Sequence, residues 1–302
     1  MLKLIQNEWM KLWHQKATWV MLGILVVAIV GVGGLNKYYE ETDPRDWHVV
    51  EKEKIEQLSK EEDAYSQEQV MIAEHRLVHD IAPPNGMTAV SFLDFSAQLI
   101  MFVTLFAVIV GASIVSSEFS TGTIKMLLTR PASRAKILTS KLVTTFLYGF
   151  FMLAVNFVLA GIVGLILFSS SNGTVLEVVN GQVQEADVWG NLIEFAALSL
   201  GDFAMSILFA FLIGSVFRSS ALAIGLTMFL SFTGSMVVML LSQYWFTKYI
   251  WLAHTGLTQY AQGGQHVLPG VTMSFSLAVL AAYAILFIVA SYWSFMKRDV
   301  TA

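Results

Sequence analysis

The sequence predicts an all-α membrane protein: six transmembrane helices, an amphipathic interfacial helix at the N-terminus, and an extracellular helical insertion between the first and second spans. Three observations carry this. Hydrophobic residues make up 56% of the chain and charged residues only 13%, whereas a soluble domain carries about 25% charged residues. Several apolar runs exceed the roughly 18 residues that cross a bilayer. The charges are also segregated into one basic stretch and one acid-rich stretch between apolar runs.

Residues 1–16 form the interfacial helix. Leu2, Ile5, Trp9, Leu12 and Trp13 recur at helical spacing, while Lys3, Lys11 and Lys16 face water or lipid head groups. The alternative is a cytoplasmic extension of the first membrane helix. The first span covers residues 17–35. It reads as retained rather than cleaved, because its flank is long and Gly31-Val32-Gly33-Gly34 is a poor cleavage site. Residues 36–91 form the insertion. Thirteen of the chain's 22 acids fall between Glu40 and Asp80, and Val50, Leu58, Tyr65, Ile72, Leu77 and Ile81 make a sparse apolar stripe. One or two helices are expected there, ended by Pro83-Pro84-Asn85-Gly86. They would serve as a solvated cap, or as a lid that attracts cationic substrates.

The second span covers residues 92–115. Residues 116–141 then form a polar loop with one acid, Glu118, against Lys125, Arg130, Arg134, Lys136 and Lys141. Its pattern reads as a short amphipathic helix, a stop at Arg130-Pro131 and a new helix started by Ser133. Glu118 either meets a base on a cytosolic partner or braces the loop through Lys125 or Arg134. The third span is 142–168, followed by an extracellular loop over 169–191. The fourth and fifth spans are 192–217 and 221–241. Residues 242–270 combine Tyr244-Trp245-Phe246 and Tyr249-Ile250-Trp251-Leu252 with breaks at Thr255-Gly256, Gly263-Gly264 and Pro269-Gly270. This pattern fits short helices that dip into the outer leaflet, or an aromatic belt on a surface loop. The sixth span is 271–296, and residues 297–302 are a tail.

Charge sets the orientation. With both termini inside, eleven bases lie on the inner side against Glu8, Glu118 and Asp299, as the positive-inside bias requires. Ionisable residues inside spans are functional candidates. Two qualify, Glu194 and Asp202 in the fourth span, about 12 Å apart along a helix. Either they line a substrate path or they face a polar groove. His75 and His79 stand four residues apart without a third ligand in view, so no metal site is assigned. Asn172-Gly173-Thr174 is a glycosylation sequon by pattern. Cysteine is absent, which excludes thiol chemistry and disulfides. No phosphate-binding loop, nucleophile elbow or zinc-binding His-Glu-x-x-His occurs. The chain therefore reads as no enzyme in itself, with no cofactor, and a transport function needs an energy source on another chain.

Three stretches resemble the membrane subunit of ABC-2 type exporters, the bacterial permeases related to bacitracin and lantibiotic resistance transporters. They are Glu118-Phe119-Ser120-Thr121-Gly122-Thr123 continuing to Leu127, Pro131, Arg134 and Lys141; the closing Phe295-Met296-Lys297-Arg298-Asp299-Val300; and Glu8-Trp9-Lys11 in the opening helix. The resemblance implies a permease in the bacterial plasma membrane, working as a homodimer or as a heterodimer with a second permease. Two copies of a cytosolic ABC ATPase would bind ATP and Mg. Glu118, Phe119, Gly122, Thr123, Leu127, Pro131 and Arg134 would couple the permease to that ATPase. The expected cargo is a hydrophobic or amphipathic molecule, such as a peptide antibiotic, a bacteriocin or a secreted amphipathic peptide. Lipid is an alternative cargo, and nucleic acid is not an expected partner. The rival reading is a membrane sensor or scaffold that recruits a cytosolic partner without transport; an intramembrane enzyme is a weaker third.

Overall fold

The computed structural model describes residues 1–39, 45–61, 63–84, 86–120, 133–168, 174–179, 181–217, 219–263 and 268–297. It is nearly all helical. The order is α1 (Leu2–His14), α2 (Lys16–Tyr38), α3 (Trp47–Leu58), α4 (Ala64–His79), α5 (Ala89–Ala97), α6 (Ile100–Ser120), α7 (Arg134–Leu167), β1 (Leu176–Val179), β2 (Gln182–Glu185), α8 (Val188–Phe217), α9 (Ser220–Leu241) and α10 (Met273–Lys297). Three short 3-10 turns lie between α9 and α10. Six helices, with α5 and α6 counted as one, are long and apolar enough to cross a membrane.

Side-chain caps start most of these helices. Asp46 accepts from the His48 N–H, Asp63 from Ser66, Thr88 from Ser91, Ser133 from Lys136 and Ser219 from Leu222. Each satisfies a donor that a helix N-terminus leaves without an internal partner. The Ser133 cap has a consequence for the third span. Its helix begins at Arg134, so residues 134–141, expected in the loop, are the first two turns of a 34-residue helix.

The second span sits at the centre. Within it, 72% of the core stretch is buried, against 17% for α9 and for α10. Phe92, Val103, Ala107, Tyr148, Met152, Phe203, Ile207 and Phe211 join it to α7 and α8 in one apolar core. Gly149 of α7 makes room for the Phe203 ring, which occupies the place a side chain would need. The second span is also interrupted, between Ala97 and Ile100. Asn156 of α7 donates its side-chain N–H to the Ser96 carbonyl at the interruption, 3.2 Å away. The same carbonyl accepts from the Leu99 N–H at 2.9 Å, so one backbone and one side-chain donor meet at the break.

α1 lies at one end of the bundle, here the proximal end; α3, α4 and the β-hairpin lie at the other, the distal end. β1 and β2 pair antiparallel with Leu176 opposite Glu185 and Val179 opposite Gln182, and Gly181 in the turn has a φ of 76°. Buried Arg76 of α4 donates to the Ile81 carbonyl and, at 2.8 Å, to the Thr174 carbonyl just before β1. The hairpin is a departure from the all-α reading, which treated 169–191 as a plain loop. Asn85, Asn172, Gly173, Gly264 and residues 298–302, all named in the sequence reading, lie outside the described residues.

The stretch after α9 folds inward. Its turns are Thr247–Tyr249, Trp251–His254 and Leu257–Gly263. Leu252 meets Gly234, seven residues or ~10 Å along α9 from its Leu241 end. The Trp251 ring meets Phe287 at 5.7 Å, fourteen residues or ~21 Å into α10. The segment thus reaches between the fourth, fifth and sixth spans to about half their length. Tyr244, Trp245 and Tyr249 remain exposed at its start.

Candidate functional site

The strongest charge constellation lies at the proximal end and is drawn from three helices. α1 supplies Glu8 and Lys11, one turn apart. Glu118 comes from the last turn of α6, and Lys141 from the second turn of α7. The Lys141 ammonium donates to Glu8 Oε2 at 2.8 Å and to Glu118 Oε1 at 3.0 Å. The Lys11 ammonium donates to the same Glu118 oxygen at 3.0 Å and to Glu8 Oε1 at 3.4 Å. Each carboxylate accepts from both lysines, and the four charges sum to zero. The Lys141 side chain is only 1% exposed, and those of Glu8 and Glu118 are 6% and 11% exposed. A lone ammonium at such a position is prohibitively costly, and two carboxylates are what make it tolerable. Burial acts against the charge on Lys11, but Glu8 and Glu118 outweigh it and hold its ammonium above the ordinary lysine value.

Contacts around the quartet fix it to the rest of the proximal end. Thr18 donates to the Leu12 carbonyl at the joint between α1 and α2. Trp9 and Trp13 both set their rings edge-on against Phe151 of α7. The α1 stripe read as facing lipid therefore packs in part on protein. The Phe119 ring meets Phe295 of α10 at 6.2 Å. Arg134 donates to the Met296 carbonyl at 3.1 Å, and the Thr139 and Tyr292 hydroxyls are hydrogen-bonded at 2.5 Å. Helices α1, α6, α7 and α10 are thereby locked into one block, from which the stretch between Ser120 and Ser133 departs. Gly122, Thr123, Lys125, Leu127, Arg130 and Pro131 lie outside the described residues.

The sequence reading singled out Glu118 but missed its three companions in charge. Glu8, Lys11 and Lys141 were read as flanking charges that set orientation. A signal was present: Glu8 stands inside the stripe Ile5, Trp9, Leu12, and Lys141 follows Ile137 and Leu138 by one turn. A charge on an otherwise apolar helical stripe asks for a buried partner.

The other candidates are not brought together. Asp202 is half-buried, and its carboxylate accepts from the Ser206 hydroxyl one turn on, at 3.5 Å. Glu194 is exposed in the second turn of α8, on a helix face turned by about 80° from that of Asp202. The His75 and His79 rings lie 4.2 Å apart, and among the described residues no group of three or more potential metal ligands assembles.

Comparison with known proteins redirects the family assignment. Residues 69–301 match the family described as Protein of unknown function (DUF2705). The chain is 34% identical over 313 residues to the Uncharacterized protein YhcI of Bacillus subtilis (strain 168), covering 99% of both chains. It is 32% identical over 218 residues to the Uncharacterized membrane protein YdbK of the same organism, covering 70% of this chain and 83% of that one. The resemblance to ABC-2 type permeases is therefore corrected: the family that matches is a different one, and three short motifs of common residue types do not establish membership. With its six long apolar helices and its kinship to a membrane protein, this multi-pass membrane protein belongs to the DUF2705 family.

Proposed function

We propose that the protein is the membrane-spanning subunit of an ATP-driven exporter of hydrophobic or amphipathic molecules, with its ATPase on a separate cytosolic chain. The observation that carries this is the buried quartet of Glu8, Lys11, Glu118 and Lys141. A stretch that receives force from a cytosolic machine must leave the membrane from a rigid base, or the force is absorbed locally. The quartet stiffens both ends of the basic stretch between Ser120 and Ser133, and the Arg134–Met296 and Phe119–Phe295 contacts extend that base to the sixth span. The positive-inside bias supports setting this proximal end in the cytoplasm. A chain without its own nucleotide-binding loop needs the second protein. Helices with two packed arrangements would convert ATP-driven closure into release on the far side.

The test is purification from native membranes in mild detergent, followed by reconstitution in liposomes. A nucleotide-hydrolysing subunit should copurify, and ATP should drive movement of a fluorescent amphipathic peptide across the vesicle wall. A preparation with no associated ATPase, and no ATP-dependent flux of peptide or lipid, would overturn the reading.

A second reading, a sensor that relays a signal across the membrane, draws on the distal domain. Buried Arg76 ties α4 to the chain before the β-hairpin, which gives a preformed surface on the far side. A partner recruited without ATP hydrolysis would favour it.

A further inference from the structure

We infer that residues 247–263 form a gate at the distal end of the bundle, held shut by a hydrogen-bonded latch through His254, Ser276 and Tyr260. As the gate of a transport route, this rests on the export reading above; the latch itself does not. Two leucines seat the segment. Leu257 occupies a notch at Gly201 of α8, where an added Cβ would come within 2.5 Å of its Cδ1. Leu252 occupies a second notch at Gly234 of α9, with a corresponding distance of 3.1 Å to its Cδ2. Trp251 then meets Phe209 of α8 and Phe287 of α10. The segment so covers α8 on both sides of Asp202, at Gly201 and two turns further on at Phe209.

The latch is polar, and its centre is enclosed while Tyr260 at its edge is half-buried. His254 and Ser276 have no exposed surface. His254 Nε2 lies 2.8 Å from the Lys248 carbonyl and Nδ1 lies 2.8 Å from Ser276 Oγ. The Tyr260 hydroxyl is 2.9 Å from the same Oγ. A carbonyl only accepts, so Nε2 carries a proton. In the neutral imidazole Nδ1 then accepts from the Ser276 hydroxyl, whose oxygen accepts from Tyr260. One serine at the start of α10 thereby holds two of the three turns. Non-helical backbone between spans is tolerated only where protein or water satisfies it, and here protein does so. The latch bonds and the seats of Leu252, Leu257 and Trp251 are local contacts of short turns, which can be released together more readily than a packed transmembrane helix.

The natural absence of cysteine makes the gate directly testable. A single Leu257→Cys, buried in the closed state, should react slowly with an impermeant maleimide. Adding Ser276→Ala and Tyr260→Phe should raise the rate at least tenfold, while labelling of a Ser59→Cys reference stays constant. Equal rates with and without the latch would overturn it. The second measurement keeps the latch residues intact. The ideal Cβ of Gly234 lies 3.9 Å from Leu252 Cβ, a separation suited to a disulfide. Gly234→Cys with Leu252→Cys should cross-link on oxidation, and the cross-link should stop ATP-driven peptide efflux until reductant restores it. Efflux that continues through the cross-linked protein would overturn the gate. Latch-dependent labelling in a protein that never transports would instead sink the export reading and leave the latch standing.

Discussion

The ammonium of Lys141 and the carboxylate of Glu8 meet at 2.8 Å, although 133 positions separate them in the chain. This buried pair ties the N-terminal helix to the third span, beside the packing of Trp9 and Trp13 on Phe151. Lys141→Met should cost about 3–5 kcal/mol, because it strands a buried carboxylate. Thermal unfolding in detergent should register the loss, and hydrogen exchange should speed up selectively in α1. Adding Glu8→Gln should recover part of the stability by removing the stranded charge. A double variant as unstable as the sum of the two single ones would mean that the residues act independently.

The orientation expected from the charge bias is open to the same cysteine chemistry. Ser59→Cys, in the distal α3–α4 region, should react with an impermeant maleimide in intact cells. Ser133→Cys, at the start of the third span, should react only after permeabilisation. Labelling of Ser133→Cys in intact cells would invert the topology.

Asp202 sits well inside the fourth span with a weak hydrogen bond to Ser206. A carboxylate at that depth costs several kcal/mol unless water or a ligand compensates. Asp202→Asn should preserve insertion and assembly while lowering ATP-driven flux of a cationic amphipathic peptide by about tenfold or more, equivalent to ~1.4 kcal/mol. Unchanged flux across cationic and neutral peptides would make Asp202 a packing residue only.

The distal helices carry a pH-sensitive clasp. His48 bonds Asp46 at 2.7 Å and Asp80 at 3.0 Å, which closes the α3 start onto the α4 end. Donation to the Asp46 carboxylate, then to that of Asp80, holds the imidazolium above the usual histidine value, while the His48 backbone N–H and then its imidazole hold the Asp46 carboxyl below its own. A raised folded value means that the histidine's contribution is full below about pH 6.5 and fades as pH rises through that raised value. The lowered Asp46 value means that its share is present above about pH 3.9 and disappears on further acidification. Hydrogen-exchange protection around residues 46–49 and 78–81, corrected for intrinsic rates, should therefore be greater at pH 6 than at pH 9. His48→Gln should flatten that difference.

Long apolar helices were readable because length and hydropathy leave few alternatives in so charge-poor a chain. The interruption of the second span was not. Residues 97–100, Ala-Gln-Leu-Ile, carry no glycine or proline breaker, and the side-chain donor at the break, Asn156, lies sixty residues away. The β-hairpin was missed because each strand is four residues long, too short for alternation to stand out, although Asn180-Gly181 is a strong hairpin signal. Of the candidate site, Glu118 was found through the composition of its loop. Its lysine partners required knowing which helix faces meet, and that is a tertiary property.

The bond from Arg76 to the Thr174 carbonyl imposes an order on biogenesis. The guanidinium is made with the first loop, but its acceptor is not synthesised until the whole third span has followed. In the interval α3 and α4 must wait with a charged group built for burial and no hairpin to cover it. Completion of the distal domain thus reports that the third span has crossed in the right direction, since an inverted span would deliver Thr174 to the opposite face. The stage at which Arg76 becomes sheltered, followed by protease access in stalled chains of increasing length, should fall after residue 174 has cleared the membrane rather than when residue 81 does.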